Sequence, residues 1–284
     1  MRFRAICLTI YSLLWALNAS ALEVCGELKQ GELILFKQIG AQKIILRNNL
    51  NTKEYAVASD GVVLAALHRD APDLMNLEVL SDNAAITRYT LPITRTVWDI
   101  QRINGVTQSK VTPTSAADLK EIKREQRDLG RAITNYESGD AWREGFIVPV
   151  DGKISGNFGN QRIFNGIPKN SHSGIDIAAL EGTAVKASGD GKVILSGNDY
   201  FYTGNMVIID HGQGLQTIYA HLKEAKVKEG DRVKKGDIIG LVGKTGRATG
   251  SHLHWGASLN NVRFRPHALL EINKKKCRII EEKH

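Results

Sequence analysis

The chain has 284 residues, 42% of them apolar and 24% charged, with three cysteines and a formal net charge of +8. That length carries two domains and a sizeable core. After the first 21 residues no stretch is long and apolar enough to cross a bilayer, and the basic residues are dispersed without a nucleic-acid motif, which sets nucleic acid aside as a partner.

At the N-terminus, Arg2 and Arg4 precede a mainly apolar run from Ala5 to Leu17, and Ala19-Ser20-Ala21 follow as small residues. This reads as a secretory signal over residues 1–21, cleaved before Leu22. The apolar run is short for a membrane anchor, so none is expected after cleavage. Leu22-Glu23-Val24 ahead of Cys25 are not the small residues of a lipidation site. Cleavage removes Arg2, Arg4 and no acid, which takes the charge from +8 to +6. It also removes Cys7. Export to the periplasm, or outside the cell, permits Cys25 and Cys277 to form a disulfide joining the two ends of the mature chain; free thiols are the alternative. Neither cysteine sits in a Cys-His motif. A basic exported protein suits an anionic envelope polymer.

Residues 22–95 read as strands. Leu33-Ile34-Leu35-Phe36, Lys43-Ile44-Ile45-Leu46, Val62-Val63-Leu64-Ala65 and Leu77-Glu78-Val79-Leu80 are apolar or alternating runs, separated by turn signals such as Asn48-Asn49 and Asp60-Gly61. They predict a small β-sandwich-like domain with no ligand cluster and no chemistry of its own. Residues 96–140 form a connector, with Gly105 and Pro113, and a helix. Ser115-Ala116-Ala117-Asp118 opens that helix like a capping box, with Asp in place of Glu. Leu119, Ile122, Leu129 and Ile133 share one face; Lys120, Glu121, Lys123, Arg124, Glu125, Arg127 and Asp128 are assigned to the other. The plain reading is a linker helix docked by its apolar stripe, and a regulatory helix is the alternative.

From Phe146 the sequence is Gly-rich and β-branched. Val185 to Leu195, Met206 to Asp210, Thr217 to His221 and Ile238 to Val242 are strand candidates in a compact antiparallel scaffold. In the tail, 271–284, Lys274-Lys275-Lys276 reads as a solvated run.

Four of the eight histidines fall in this C-terminal part within short motifs: His172 and Asp176 in HSGID, His221 in YAHL, and His252 with His254 in HLH. On a strand, His252 and His254 share one face, roughly 7 Å apart, so both approach one ion without both having to bind it. His172 and Asp176 would lie roughly 13 Å apart on a straight strand. Gly174 and the β-branched Ile175 and Ile177 disfavour a helix. The chain therefore bends at Gly174, with His172 in a loop and Asp176 at the start of a strand. Two His and one Asp leave a fourth position for water, the composition of a catalytic zinc. The other two histidines then move protons or steady an oxyanion. His68, His211, His267 and His284 are read as ordinary structural or surface residues.

These motifs resemble the lysostaphin-like, or LytM-type, zinc peptidases that cut peptidoglycan cross-bridges. The likeness covers about residues 146–270. It includes Gly156-Asn157-Phe158-Gly159, His172 with Asp176, Tyr219-Ala220-His221-Leu222, the run from Glu229 to Gly236, and His252-Leu253-His254-Trp255. The resemblance implies one Zn2+ held by His172, Asp176 and His254, with His221 and His252 as the catalytic pair. It implies a mainly β architecture: the β-sandwich-like domain, the linker helix and a C-terminal antiparallel scaffold of the LytM type. Some members carry a Tyr just ahead of the first metal His; Ile163 to Ser171 contain none, so that role is absent or filled by another group. Asn157, Arg162 and Lys169 are candidate cleft residues. The expected function is an exported endopeptidase acting on peptidoglycan peptides, with an envelope regulatory protein as a candidate partner. A non-enzymatic murein-binding activator of another hydrolase is the alternative.

Overall fold

The structure is a computed structural model and describes residues 21–47, 52–58, 60–81, 84–134 and 137–280. The expected signal, Ala21 apart, the Asn48-Asn49 turn and His284 lie outside them. Among the described residues no helix is long and apolar enough to cross a membrane.

Seven strands open the chain: β1 (Leu22–Cys25), β2 (Leu33–Lys37), β3 (Ala41–Arg47), β4 (Thr52–Ala56), β5 (Val62–Ala66), β6 (Leu74–Ser81) and β7 (Ile86–Pro92). Alternation sets their faces. In β6, Met75, Leu77 and Val79 are buried while Leu74 and Asn76 face out. One antiparallel sheet runs β4-β3-β6-β7, and another contains β1-β2-β5. Their apolar residues, such as Phe36, Ile44 and Leu77, belong to one contiguous core that continues to Val185, Trp255 and Leu259 of the C-terminal half.

The connector is not merely a tether. Its strand β8 (Ile100–Ile103) is followed by a short helix α1 (Gln108–Val111) and the long helix α2 (Ala116–Thr134). The Asp118 amide donates to Ser115 Oγ at 3.0 Å, which gives α2 a side-chain N-cap. The assigned faces need one correction. Leu119 is exposed, whereas Glu125 is buried. Ile122, Glu125 and Leu129 lie at i, i+3 and i+7, so helical geometry turns Glu125 inward with the apolar stripe.

The C-terminal half contains β9 (Lys153–Gly156), β10 (Gln161–Phe164), β11 (Ile167–Pro168), β12 (Gly174–Ala178), β13 (Ala184–Lys186), β14 (Gly191–Tyr200), β15 (Gly204–Asp210), β16 (Leu215–Ala225), β17 (Arg232–Val233), β18 (Ile238–Val242), β19 (His252–Leu259) and β20 (Val262–Phe264). The run expected from Val185 to Leu195 is thus two strands, broken by a turn at 187–190. The central order is β17-β14-β15-β16-β19-β12-β9, all antiparallel. The connector strand β8 pairs in parallel with β10, Gln101 opposite Arg162.

After α3 (His267–Leu270) the chain returns to the N-terminal half. Strand β21 (Cys277–Ile280) pairs with β1, Cys25 stands opposite Cys277, and the two sulfurs are bonded at 2.04 Å. The tail is therefore not simply solvated. The Gly26 amide donates to the Lys276 carbonyl at 3.1 Å. Burial also pushes the Lys275 ammonium below its ordinary range. A Lys run gives no hint of this, because the pairing is made by backbone groups.

Candidate active site and metal centre

Register brings the motifs together. Asp176 on β12 lies opposite His254 on β19, and His254 lies opposite Ala220 on β16. His221 follows Ala220 at a bulge, where the β15–β16 register shifts. Its φ is 62°, in the left-handed region that few non-glycine residues adopt. Two bonds to backbone carbonyls hold it there: its amide donates to the Thr203 carbonyl at 2.9 Å, and its side-chain Nδ1–H donates to the Thr245 carbonyl at 2.9 Å. The bulge turns the imidazole out of the strand's alternation.

His172 sits in the loop before β12, as the bend at Gly174 suggested. A Cβ at Gly174 would stand 2.4 Å from the Trp255 carbonyl, so only glycine allows the two strands to approach here. The Gly156–Gly159 segment cradles the loop. The Gly159 amide donates to the His172 carbonyl at 2.9 Å, and His172 Nδ1–H donates to the Asn157 carbonyl at 3.0 Å. Gly159 has φ +82° and lies flush against Trp98 of the connector, where a Cβ would be 2.2 Å from the indole. Arg69, from the N-terminal half, donates to the Gly159 carbonyl at 2.6 Å. Both earlier segments thus buttress the loop that presents His172.

The three candidate ligands meet at close range. His172 Nε2 lies 3.0 Å from His254 Nδ1 and 3.0 Å from Asp176 Oδ1, and His254 Nδ1 lies 3.0 Å from the same oxygen. Because Nδ1 of His172 donates to a carbonyl, its Nε2 carries a lone pair in the neutral ring. Burial lowers the pKa of His172, and lowers that of His254 to about 4, which keeps both rings neutral. Burial alone would raise Asp176. Its neighbours His172 and His254 outweigh that and hold the carboxyl well below the usual range. Three buried groups that can each offer a lone pair thus face one another, and a cation at their centre would be held by all three. The donor set fits a metal ion, and the three ligand atoms all lie within 4.8 Å of one another.

The other two histidines flank this centre. The His221 and His252 rings are 4.8 Å apart, and His221 is 6.0 Å from the His254 ring. His252 Nδ1–H donates to the Gly250 carbonyl at 2.8 Å. Both rings so held leave Nε2 able to accept a proton. Burial, then the neighbouring His252 and His254, push His221 down to about 3. His221, His252 and Asp176 line a groove of about 270 Å³ together with Gln101, Arg162 and Arg247.

The candidate cleft residues divide. Arg162 lines the groove, pairs with Asp176 Oδ2 and donates to Gln101 Oε1 at 3.1 Å. Asn157 contributes its carbonyl to His172 and does not line the groove. Lys169 does not line it either; its backbone bonds to Arg162 and Gln161.

Sequence reasoning passed over Glu125, Gln101, Thr245 and Arg247. The Glu125 carboxylate accepts from Tyr202 N at 2.9 Å, Thr203 N at 3.0 Å and Thr203 Oγ1 at 2.7 Å. It thereby fixes the loop whose Thr203 carbonyl holds His221. The i, i+3, i+7 spacing with Ile122 and Leu129 was the signal for it. Gln101 and Arg247 have no local signal.

The part of the chain that carries this site also resembles known proteins. A model described as Peptidase family M23 matches residues 170–266. The peptidoglycan DD-endopeptidase ShyA of Vibrio cholerae is 39% identical over 155 residues, 50% of this chain and 35% of that protein. The murein hydrolase activator NlpD of Salmonella dublin is 36% identical over 131 residues, 44% of this chain and 32% of that protein. The chain thus spans about a third of the length of these relatives. A solved structure from Pseudomonas aeruginosa, described as a peptidase M23, superposes with a TM-score of 0.66 at 28% identity and covers 87% of this chain and 96% of that one. Residues 170–266, where strand register brings HSGID, YAHL and HLH around one cluster of donors, are thus similar to peptidase family M23.

Proposed function

We propose that the protein is an exported, zinc-dependent endopeptidase that hydrolyses peptide cross-links of peptidoglycan. The observation that carries this reading is the pairing of a three-ligand centre, His172, Asp176 and His254, with two further histidines on the same groove. The naming of ShyA as a peptidoglycan DD-endopeptidase supports the substrate class. With meso-diaminopimelate cross-links, the bond cut is that between D-Ala and the diamino acid.

Zinc held by His172 Nε2, His254 Nδ1 and Asp176 Oδ1 supplies Lewis acidity toward the scissile carbonyl and toward water. The chain's own residues do the rest. The Asn157 carbonyl fixes the His172 tautomer, so that Nε2 faces inward. Arg162 holds the second oxygen of Asp176 and orients the carboxylate. Of His221 and His252, one takes the proton of the attacking water at Nε2. As the imidazolium so formed, that ring passes the proton to the departing amine, and the other, when its Nε2 carries a proton, steadies the oxyanion. Thr245 and Gly250 accept from Nδ1 of the two rings and leave Nε2 for that work.

The test is direct. Mature protein with zinc releases cross-linked muropeptides from purified murein, read by mass spectrometry, and His254→Ala stops the release. The likeness to NlpD keeps the activator reading alive. If the wild-type protein leaves murein intact while stimulating a partner hydrolase, that reading replaces the enzyme.

A further inference from the structure

Two guanidinium groups line the groove, and they differ in one respect. Arg162 is committed, to Asp176 and to Gln101. Arg247 is not. Its guanidinium carbon lies over two aromatic rings, 4.5 Å from the centroid of Phe164 and 4.5 Å from that of Tyr202. Its backbone amide donates to the Tyr202 carbonyl at 2.9 Å, which anchors the base of the side chain. Among the described residues no carboxylate forms an ion pair with it, and its side-chain N–H groups meet no acceptor. Glu125 is the acid close enough to be felt, but its oxygens are taken by Tyr202 N, Thr203 N and Thr203 Oγ1.

We propose that Arg247 is the subsite for a carboxylate of the substrate, and so a specificity-determining residue of the groove it shares with His221 and His252. Contact with the two rings holds the planar fork in place, and its N–H groups, which have no acceptor among the described residues, are the binding surface. These groups match a carboxylate bidentately. Partial burial without a counter-ion makes the guanidinium costlier to hold, a cost that an arriving carboxylate lowers. The inference rests on the murein-peptidase reading for its ligand. Murein stem peptides offer this chemistry from two sources, the carboxylate of the diamino acid beside the scissile bond and the α-carboxylate of a terminal D-Ala.

The experiment uses the full mature protein with zinc and synthetic cross-linked stem-peptide dimers. One dimer is free, one is amidated at the diamino acid and one at the terminal D-Ala. Wild type is expected to favour the free dimer over one amidated form by about tenfold to a hundredfold in kcat/KM, mostly through KM, as fits a charged hydrogen-bonded pair. The position whose amidation matters identifies the source. In Arg247→Gln the ratio falls to about one while cleavage of the amidated dimer persists; Arg247→Lys keeps part of the preference. A second arm measures binding of free and amidated stem peptides to metal-free protein, with the same preference expected in wild type and lost in Arg247→Gln. The proposal is overturned if wild type shows no preference in either arm. It is also overturned if Arg247→Gln keeps the preference, or slows free and amidated dimers equally. Wild type that binds free over amidated peptide but cleaves no dimer refutes the peptidase reading and leaves the carboxylate subsite standing.

Discussion

The N-terminal sheets and the C-terminal sheet are built from the same alternating strands, yet their interiors differ. Of the thirteen buried polar or charged residues among those described, ten lie in the C-terminal half, one on α2 and two in the N-terminal half. Strands β1–β7 bury mostly Leu, Ile, Val and Phe. The C-terminal half buries His172, Asp176, His211, His221 and His254 among similar apolar neighbours. The first interior is chosen for stability. The second gives some stability up to hold lone pairs and charges away from water, where their interactions are strong. The two halves are nonetheless mechanically joined, through β8 on β10, Trp98 on Gly159, and β21 on β1.

Substitutions that separate the two kinds of interior sharpen this contrast. The largest effect is expected from Asp176→Asn. It removes a candidate ligand and should lower kcat/KM by more than about a thousandfold, while the metal-free protein keeps its folded circular dichroism and melts no lower than wild type. Marked unfolding of the variant would mean that the C-terminal interior is organised for stability after all. Next is Leu64→Ala in β5, a buried apolar position. It should cost about 2–5 kcal/mol in denaturant unfolding, with turnover per folded molecule unchanged; a matching fall in kcat would show that the N-terminal interior also serves the site.

Third comes pH. His211 is fully buried, with Nδ1 2.6 Å from the Asp190 carbonyl, and burial pushes it down to about 4. The unfolded chain binds its proton near pH 6.5, the folded one only near 4. The unfolded state therefore holds more protons between these values. The stability this group contributes is complete above 6.5 and is lost as pH falls through 4, by on the order of 3 kcal/mol. Unfolding free energies measured at several pH values from 7.5 to 3.5 test this. In metal-free protein His254 and His221 act in the same direction. A flat profile would contradict the picture of buried neutral histidines. The smallest effect is Ser115→Ala at the α2 N-cap, about 1 kcal/mol in stability, with no change in kcat.

Much of the site could be read from the sequence because its signals are local. HSGID and HLH place their donors by strand alternation and one glycine bend, and Ser115 caps α2 through a bond to a residue three positions away. Glu125 was legible in principle, from its spacing to Ile122 and Leu129, but grouping it with its charged neighbours hid it. Nothing near Gln101 announces a parallel partner sixty residues on, because parallel pairing carries no turn signature. The Lys run at 274–276 likewise hid a strand whose partner lies at the opposite end of the chain.

The sequence by itself determined the mainly β class, the residue types at the candidate centre and the capped helix, since these follow from periodicity, bending and side-chain chemistry within a few residues. Only the tertiary structure decided which lone pairs meet, which way each imidazole points and which guanidinium stays uncommitted. Those depend on register between distant strands and on backbone carbonyls, Asn157, Thr245 and Gly250, that any residue supplies and no residue type announces.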